Sequence, residues 1–194
     1  MTLQRLLASL AAALLLGGCF EGSCYESNAQ QRKFLAGLTA LAKPALASNN
    51  PLAIEEAAKQ TLSLSDKVGD FSGWCGTLKV IEGNAQTVAI TIEIGPNVSL
   101  YAFNDWALAM AGSLADLLAS RSGQAPPPGL SGAAIAQLKT FRLGQQIKFA
   151  GHMGEIAGSS LFDLSRMFGK SDADNREFLQ APRFVARIDS LAKD

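Results

Sequence analysis

Thr87-Val88-Ala89-Ile90-Thr91-Ile92-Glu93-Ile94 is the stretch on which the fold turns. Val88, Ile90, Ile92 and Ile94 fall on one side of an extended chain, and Thr87, Thr91 and Glu93 on the other. A period of two with β-branched residues on the apolar side is the pattern of an antiparallel strand packed on one face and wet on the other. Upstream, the alternation begins at Phe71: Trp74, Gly76, Leu78 and Val80 alternate with Cys75, Thr77, Lys79 and Ile81, and a Gly83-Asn84 turn joins the two runs. Downstream, Gly95-Pro96-Asn97 makes a turn, and Val98 to Phe103 reads as a third strand of the same meander. Gln145 to Gly151 and Arg183 to Ser190 are further strands, the last with Phe184, Ala186 and Ile188 opposing Val185, Arg187 and Asp189, and Leu161 to Leu164 is a candidate sixth. Five or six short strands in an open sheet would leave unpaired edges, so closure into a small antiparallel β-barrel is expected.

The other segments carry a helical period. Ser27 followed by Gln30 suggests a capping box, after which Phe34, Leu35, Leu38, Leu41, Ala42 and Ala45 recur at three- and four-residue spacing over about five turns. Asn49-Asn50-Pro51 is a break and restart, with Asn50 as N-cap, Pro51 at the first helical position, and Glu55 and Glu56 near the positive end of a helix running to about Ser65. Asn104 or Asp105 can cap a helix through Ser120, Gln124 to Gly129 with three consecutive prolines is a stiff connector, and Ser131 caps a short helix through Leu138. The expected class is α+β: a small antiparallel barrel with an N-terminal helical pair and a helical insertion, residues 104–140, between strands three and four.

Residues 1–19 precede all of this and read differently. One cation, Arg5, is followed by a predominantly apolar run of 11 residues from Leu6 to Leu16, then Gly17, Gly18 and Cys19. The run is too short for a hydrocarbon core that needs about 20 residues, and it has the layout of an export signal. Leu16-Gly17-Gly18-Cys19 resembles the lipobox of bacterial lipoproteins. That resemblance implies that residues 1–18 are removed and that Cys19 carries three acyl chains that hold the mature protein at a membrane. Phe20, in the place where that family's inner-membrane members carry Asp, implies the periplasmic face of the outer membrane. Lipidation of Cys19 leaves Cys24 and Cys75, which in an oxidising periplasm are expected to pair. A disulfide across the 50 intervening residues contributes roughly 3 to 4 kcal/mol by limiting the unfolded chain. A metal or redox role has no support in the sequence, which has no CxxC and a single histidine, His152. The chain thus divides into a signal peptide (1–18), a lipidated N-terminus and tether (19–27), a helical segment (28–70) and a barrel domain (71–194).

Three blocks carry a second resemblance. Phe71-Ser72-Gly73-Trp74-Cys75-Gly76-Thr77-Leu78, the run from Leu138 to Gly151, and Ala181-Pro182-Arg183-Phe184-Val185-Ala186-Arg187-Ile188 are similar to the F-x-x-W-x-G, L-x-x-L-x-x-G-Q-x-V-x-F-S-G and P-x-F-x-x-x-I blocks of an uncharacterised proteobacterial domain. The resemblance implies an OB-like small barrel. Cys75 stands where that domain commonly has an aliphatic residue, and no catalytic residues carry over.

Composition and motifs narrow the function. Without residues 1–18 the chain has 16 Lys and Arg against 17 Asp and Glu, a net charge near −1, which argues against a nucleic-acid partner. The most apolar later segment, Trp106 to Ala119, is interrupted by Asp116 and reads as a helix of the fold, not a membrane span. No cofactor motif occurs, and no catalytic residues are assigned. His152 lacks a G-x-S-x-G partner motif and reads as a strand-end residue, while Asp172-Ala173-Asp174-Asn175-Arg176-Glu177 puts Glu177 where a calcium loop needs glycine and reads as a solvated acidic loop. The generic site of a small barrel is the face of strands two and three, here Thr87, Thr91, Glu93, Ser99 and Tyr101. The expected function is a lipid-anchored, non-enzymatic periplasmic protein that binds another envelope protein, as an accessory, stress-related or inhibitor lipoprotein. The alternative is a binding module for a glycan, lipid or peptide on the barrel face, and the third is an enzyme built around His152 or Asp163, Asp172 and Asp174. A filled barrel favours the first; an apolar, concave mouth favours the second.

Overall fold

The computed structural model describes residues 24–84, 87–104, 129–153 and 171–194. Within them lie α1 (Ala29–Ser48), α2 (Pro51–Asp66), β1 (Gly69–Gly83), β2 (Val88–Gly95), β3 (Val98–Phe103), α3 (Gly132–Leu138), β4 (Gln146–Met153), α4 (Asp172–Gln180) and β5 (Arg183–Lys193). The class is α+β, as the sequence predicts. The five strands close into a ring in the order β1-β2-β3-β5-β4. Every neighbouring pair is antiparallel except β3 and β5, which run parallel where Ser99, Leu100 and Tyr101 face Arg183, Phe184 and Val185. The candidate strand Leu161 to Leu164, the helix expected through Ser120 and most of the Pro-rich connector lie outside the described residues.

β1 is long because it serves two neighbours: Gly69 to Thr77 pair with β4, and Thr77 to Gly83 with β2. A register shift between Leu78 and Val80 breaks its alternation. Beyond that bulge Ile81, not Val80, packs against the core, so the strict period of two expected through Val80 does not hold. β5 does the same where Ile188 and Ser190 pair with Gly151 and Ala150, which brings Leu191 back inside. Gly151 is required there: a Cβ would stand 1.9 Å from the Arg187 carbonyl oxygen. At the β1–β2 turn Gly83 has φ 101°, a conformation that costs other residues energy, and Asn84 N–H donates to the Thr87 carbonyl at 2.6 Å.

The ring is filled by its own side chains. Trp74, Leu78, Ile90, Ile92, Ile94, Leu100, Ile147 and Ile188 are fully buried in one core, joined by Phe71, Phe149 and Phe184. Phe71 stacks on Trp74 with ring centroids 4.6 Å apart, and α1 adds Phe34, 5.7 Å from Trp74 and 5.5 Å from Phe184. Such aromatic pairs add to the stabilisation their buried area already gives. A second, smaller core lies between the helices: Ala45 of α1, Ile54, Ala57 and Ala58 of α2, and Leu179 of α4.

The helix boundaries follow capping chemistry, with two corrections. Asn50 caps α2 by accepting from Leu52 N–H at 3.0 Å, with Pro51 behind it, and Ser131 caps α3 by accepting from Ala134 N–H at 3.0 Å, both as expected. The cap of α1 is Asn28, not Ser27: Asn28 Oδ1 accepts from Gln31 N–H at 3.0 Å, while Ser27 Oγ donates back to the Cys24 carbonyl at 2.6 Å. Asn28 prevails because its amide also donates to the carbonyls of Ser72 and Gly73, fixing α1 to β1 at the same time. The acidic stretch from Asp172 is not a loop. Ser171 accepts from Asp174 N–H at 3.1 Å while the Asp174 carboxylate accepts from Ser171 N–H at 3.3 Å, and this reciprocal cap starts α4. Among the described residues no helix is long and apolar enough to cross a membrane.

Candidate functional site

The strand register decides which of the expected face residues meet. Thr91 lies opposite Tyr101, and Glu93 opposite Ser99, so these four form one patch on the outer side of β2 and β3. Thr87 stands apart, at the β1–β2 turn, where its backbone N–H donates to Asn84 Oδ1 at 3.0 Å. β1 borders the patch through Thr77 and Val80, and Lys79 reaches Glu93 with Nζ 2.5 Å from Oε2. On the other side Ser99 and Tyr101 neighbour Arg183 and Val185 of β5. Tyr101 packs its ring 5.6 Å from that of Phe103. Burial disfavours the phenolate and raises its pKa above the ordinary 10.0, and the charge of Glu82 adds to the effect. The patch is therefore half-buried and mixed: a phenol held neutral, two hydroxyls, and a carboxylate already paired with an ammonium.

Elsewhere on the ring four titratable side chains line up across β1, β4 and β5. His152 Nδ1 lies 2.7 Å from Asp70 Oδ1, a contact between residues 82 apart in sequence. Next to His152 on β5 is Arg187, whose guanidinium donates to both carboxylate oxygens of Asp189 at 2.9 and 3.1 Å. That bidentate bond, then the nearby carboxylates of Asp189 and Asp70, raise the Arg187 pKa. A histidine oriented by a carboxylate is half of a general-base device, but it needs a nucleophile in reach. Among the described residues no serine, threonine or cysteine hydrogen-bonds to the His152 ring, and Ser131 is engaged as a cap and as a donor to the Asp189 carbonyl at 2.6 Å. Of the other acidic candidates, Asp172 pairs with Arg176 and Asp174 caps α4, while Asp163 lies outside the described residues.

Cys24 and Cys75 are joined as a disulfide, with α-carbons 5.6 Å apart. Asp194 brings a carboxylate oxygen 3.8 Å from Cys75 Sγ, but two sulfurs bonded to each other offer no thiolate, so this trio is not a metal site. Cys19 lies outside the described residues. What fixes Cys75 in place is Gln31 of α1, a residue the sequence reading passed over. Its Oε1 accepts from Cys75 N–H at 2.8 Å, and its Nε2 donates to the carbonyls of Cys75 at 2.6 Å and Ile94 at 3.0 Å. Gln31 is buried where β1 leaves β2 for β4, and its amide supplies the backbone partners that the parting strands no longer give each other. The signal for it was present: 31, 34, 38 and 45 fall on one helical face, so Gln31 shares the stripe of Phe34, Leu38 and Ala45.

No protein-family model matches the chain, and no curated protein or solved structure matches it either.

Proposed function

We propose that the chain is a lipid-anchored periplasmic protein of OB-like fold that carries out no catalysis and binds another envelope protein through the outer face of β2 and β3. The observation that carries this reading is the filled interior of the ring. Large side chains, among them Trp74, Ile92 and Ile147, occupy it at 2% exposure or less, so recognition falls to the outer surface. The closed five-stranded ring with its single parallel seam supports the OB-like assignment. The disulfide suits an oxidising compartment, and the Leu16-Gly17-Gly18-Cys19 run supplies the anchor, with Phe20 favouring the outer membrane. Tyr101, with a polar surround of Thr91, Glu93 and Ser99, has the composition of a protein contact: an aromatic anchor with groups that can exchange water for partner hydrogen bonds.

The test is a photo-crosslinking residue placed at Tyr101 in the lipidated chain, in its own envelope. A single saturable protein adduct, lost when Glu93→Lys reverses the charge beside it, is the expected result. An adduct with glycan or lipid and none with protein would replace this reading with the ligand-binding one.

A further inference from the structure

Two large apolar side chains among the described residues stand in water: Leu52, 75% exposed at the start of α2, and Leu143, 61% exposed in the turn before β4. A single exposed leucine is ordinary, and Leu52 is followed in sequence by the carboxylates Glu55 and Glu56. Leu143 is placed differently. Gly144 N–H donates to the Leu78 carbonyl at 2.8 Å and the Gln145 carbonyl accepts from Leu78 N–H at 3.0 Å, so the turn is clamped to β1. With Gly144 at φ 81°, Leu143 sits at the apex. Lys139 and Arg142 are exposed on the same segment, and Lys193 is paired with Ile147 at the adjoining start of β4. None of these three cations has an ion-pair partner among the described residues.

The position of this turn relative to the anchor gives the cluster its meaning. Leu78 is three residues along β1 from Cys75, about 10 Å at the rise of a strand. Cys75 holds Cys24, and Cys19 is five residues before Cys24, so at most about 18 Å of chain lies between them. The disulfide therefore roots the tether beside the basic turn. Leu52 is at the far end of α1, about 30 Å from Asn28 at the rise of a helix. We propose that residues 139–143 together with Lys193 form a second membrane contact, in which Leu143 enters the boundary between headgroups and acyl chains and Lys139, Arg142 and Lys193 meet anionic phospholipid headgroups. The proposal rests on the reading that Cys19 is lipidated. One leucine and three cations are too weak to hold a free domain, but the anchor makes the contact intramolecular, where a weak site is occupied.

The experiment uses the full lipidated chain in vesicles of phosphatidylethanolamine and phosphatidylglycerol with brominated acyl chains, carrying a polarity-sensitive label at Leu143→Cys or at Leu52→Cys. Bromine quenching several-fold stronger at 143 than at 52, and reduced toward the level at 52 by Lys139→Glu with Arg142→Glu, is the expected result. Equal quenching at the two positions, in protein that floats with the vesicles and whose N-terminal peptide carries the acyl mass, overturns the second contact and leaves the anchor standing. An N-terminal peptide without acyl mass overturns the anchor reading, and the proposal with it.

Discussion

The ring of strands and the helical cluster beside it are built from different side chains. The ring is packed with Trp, Phe, Ile and Leu, and each strand has a neighbour on both sides. The buried members of the helical cluster are three alanines, one isoleucine and one leucine, and α2 also carries Thr61, a buried residue whose Oγ1 has no hydrogen-bond partner among the described residues. Small residues let helices approach closely but bury little apolar area, and an orphan hydroxyl costs its full desolvation. The ring is therefore expected to hold the fold, and the far ends of α1 and α2 with α4 to open first. The regions join along the first half of α1, where Gln31, Phe34 and Leu38 belong to the ring, and at Phe178 of α4, which packs against both cores.

The largest test strikes the ring. Trp74→Ala removes a fully buried ring that packs on Phe71 and Phe34, and should cost about 3 to 5 kcal/mol, seen as a fall in the denaturant midpoint of the whole molecule. Ile54→Ala should cost about 2 to 3 kcal/mol, and hydrogen exchange should show the loss in α2 and α4 while β1 to β5 keep their protection. If the strands lose protection to the same extent, the two regions are one cooperative unit and the contrast fails. Thr61→Val keeps the shape and removes the orphan hydroxyl, so it should raise stability by about 1 kcal/mol, read as a higher Tm. The smallest effect is alkaline. Because the folded Tyr101 pKa is raised above its unfolded value of 10.0, the folded state holds that proton more tightly; its contribution is complete below pH 10 and is lost as pH rises through the folded value. Tyr101→Phe should flatten this loss in urea titrations carried out above pH 10.

The ring was legible because its signals are local. Alternation in Val88 to Ile94 and in Phe184 to Ile188 needs only neighbouring residues, as do the Asn50-Pro51 restart and the Ser131 cap. What the sequence hid depends on residues far apart. Ile81 moves inside because β1 and β2 slip by one residue at a bulge, which β1 alone does not encode. Gln31 shares the apolar stripe of α1, but its partners, the backbone of Cys75 and Ile94, are set only where β1 and β2 part beside it. His152 gains Asp70 only when β4 lies against the start of β1. The α4 helix was missed for a local reason: its capping box closes with Asp174 in place of the usual Glu or Gln, and its charges looked like a loop. Of the candidate face, Thr91 and Glu93 stand opposite Tyr101 and Ser99 across β2 and β3, while Thr87 lies in the turn beyond the ladder.

The parallel seam has a consequence for how the molecule is made. Ser99 to Tyr101 meet Arg183 to Val185 only after nearly the whole chain is available, and β5 also completes β4. Until β5 arrives, β3 and β4 both present open edges, and the β3–β5 pairing still to form joins residues more than 80 positions apart. Ring closure is thus the late, slow step of folding, and a chain cut before Arg183 would be a template for strand addition with its own copies.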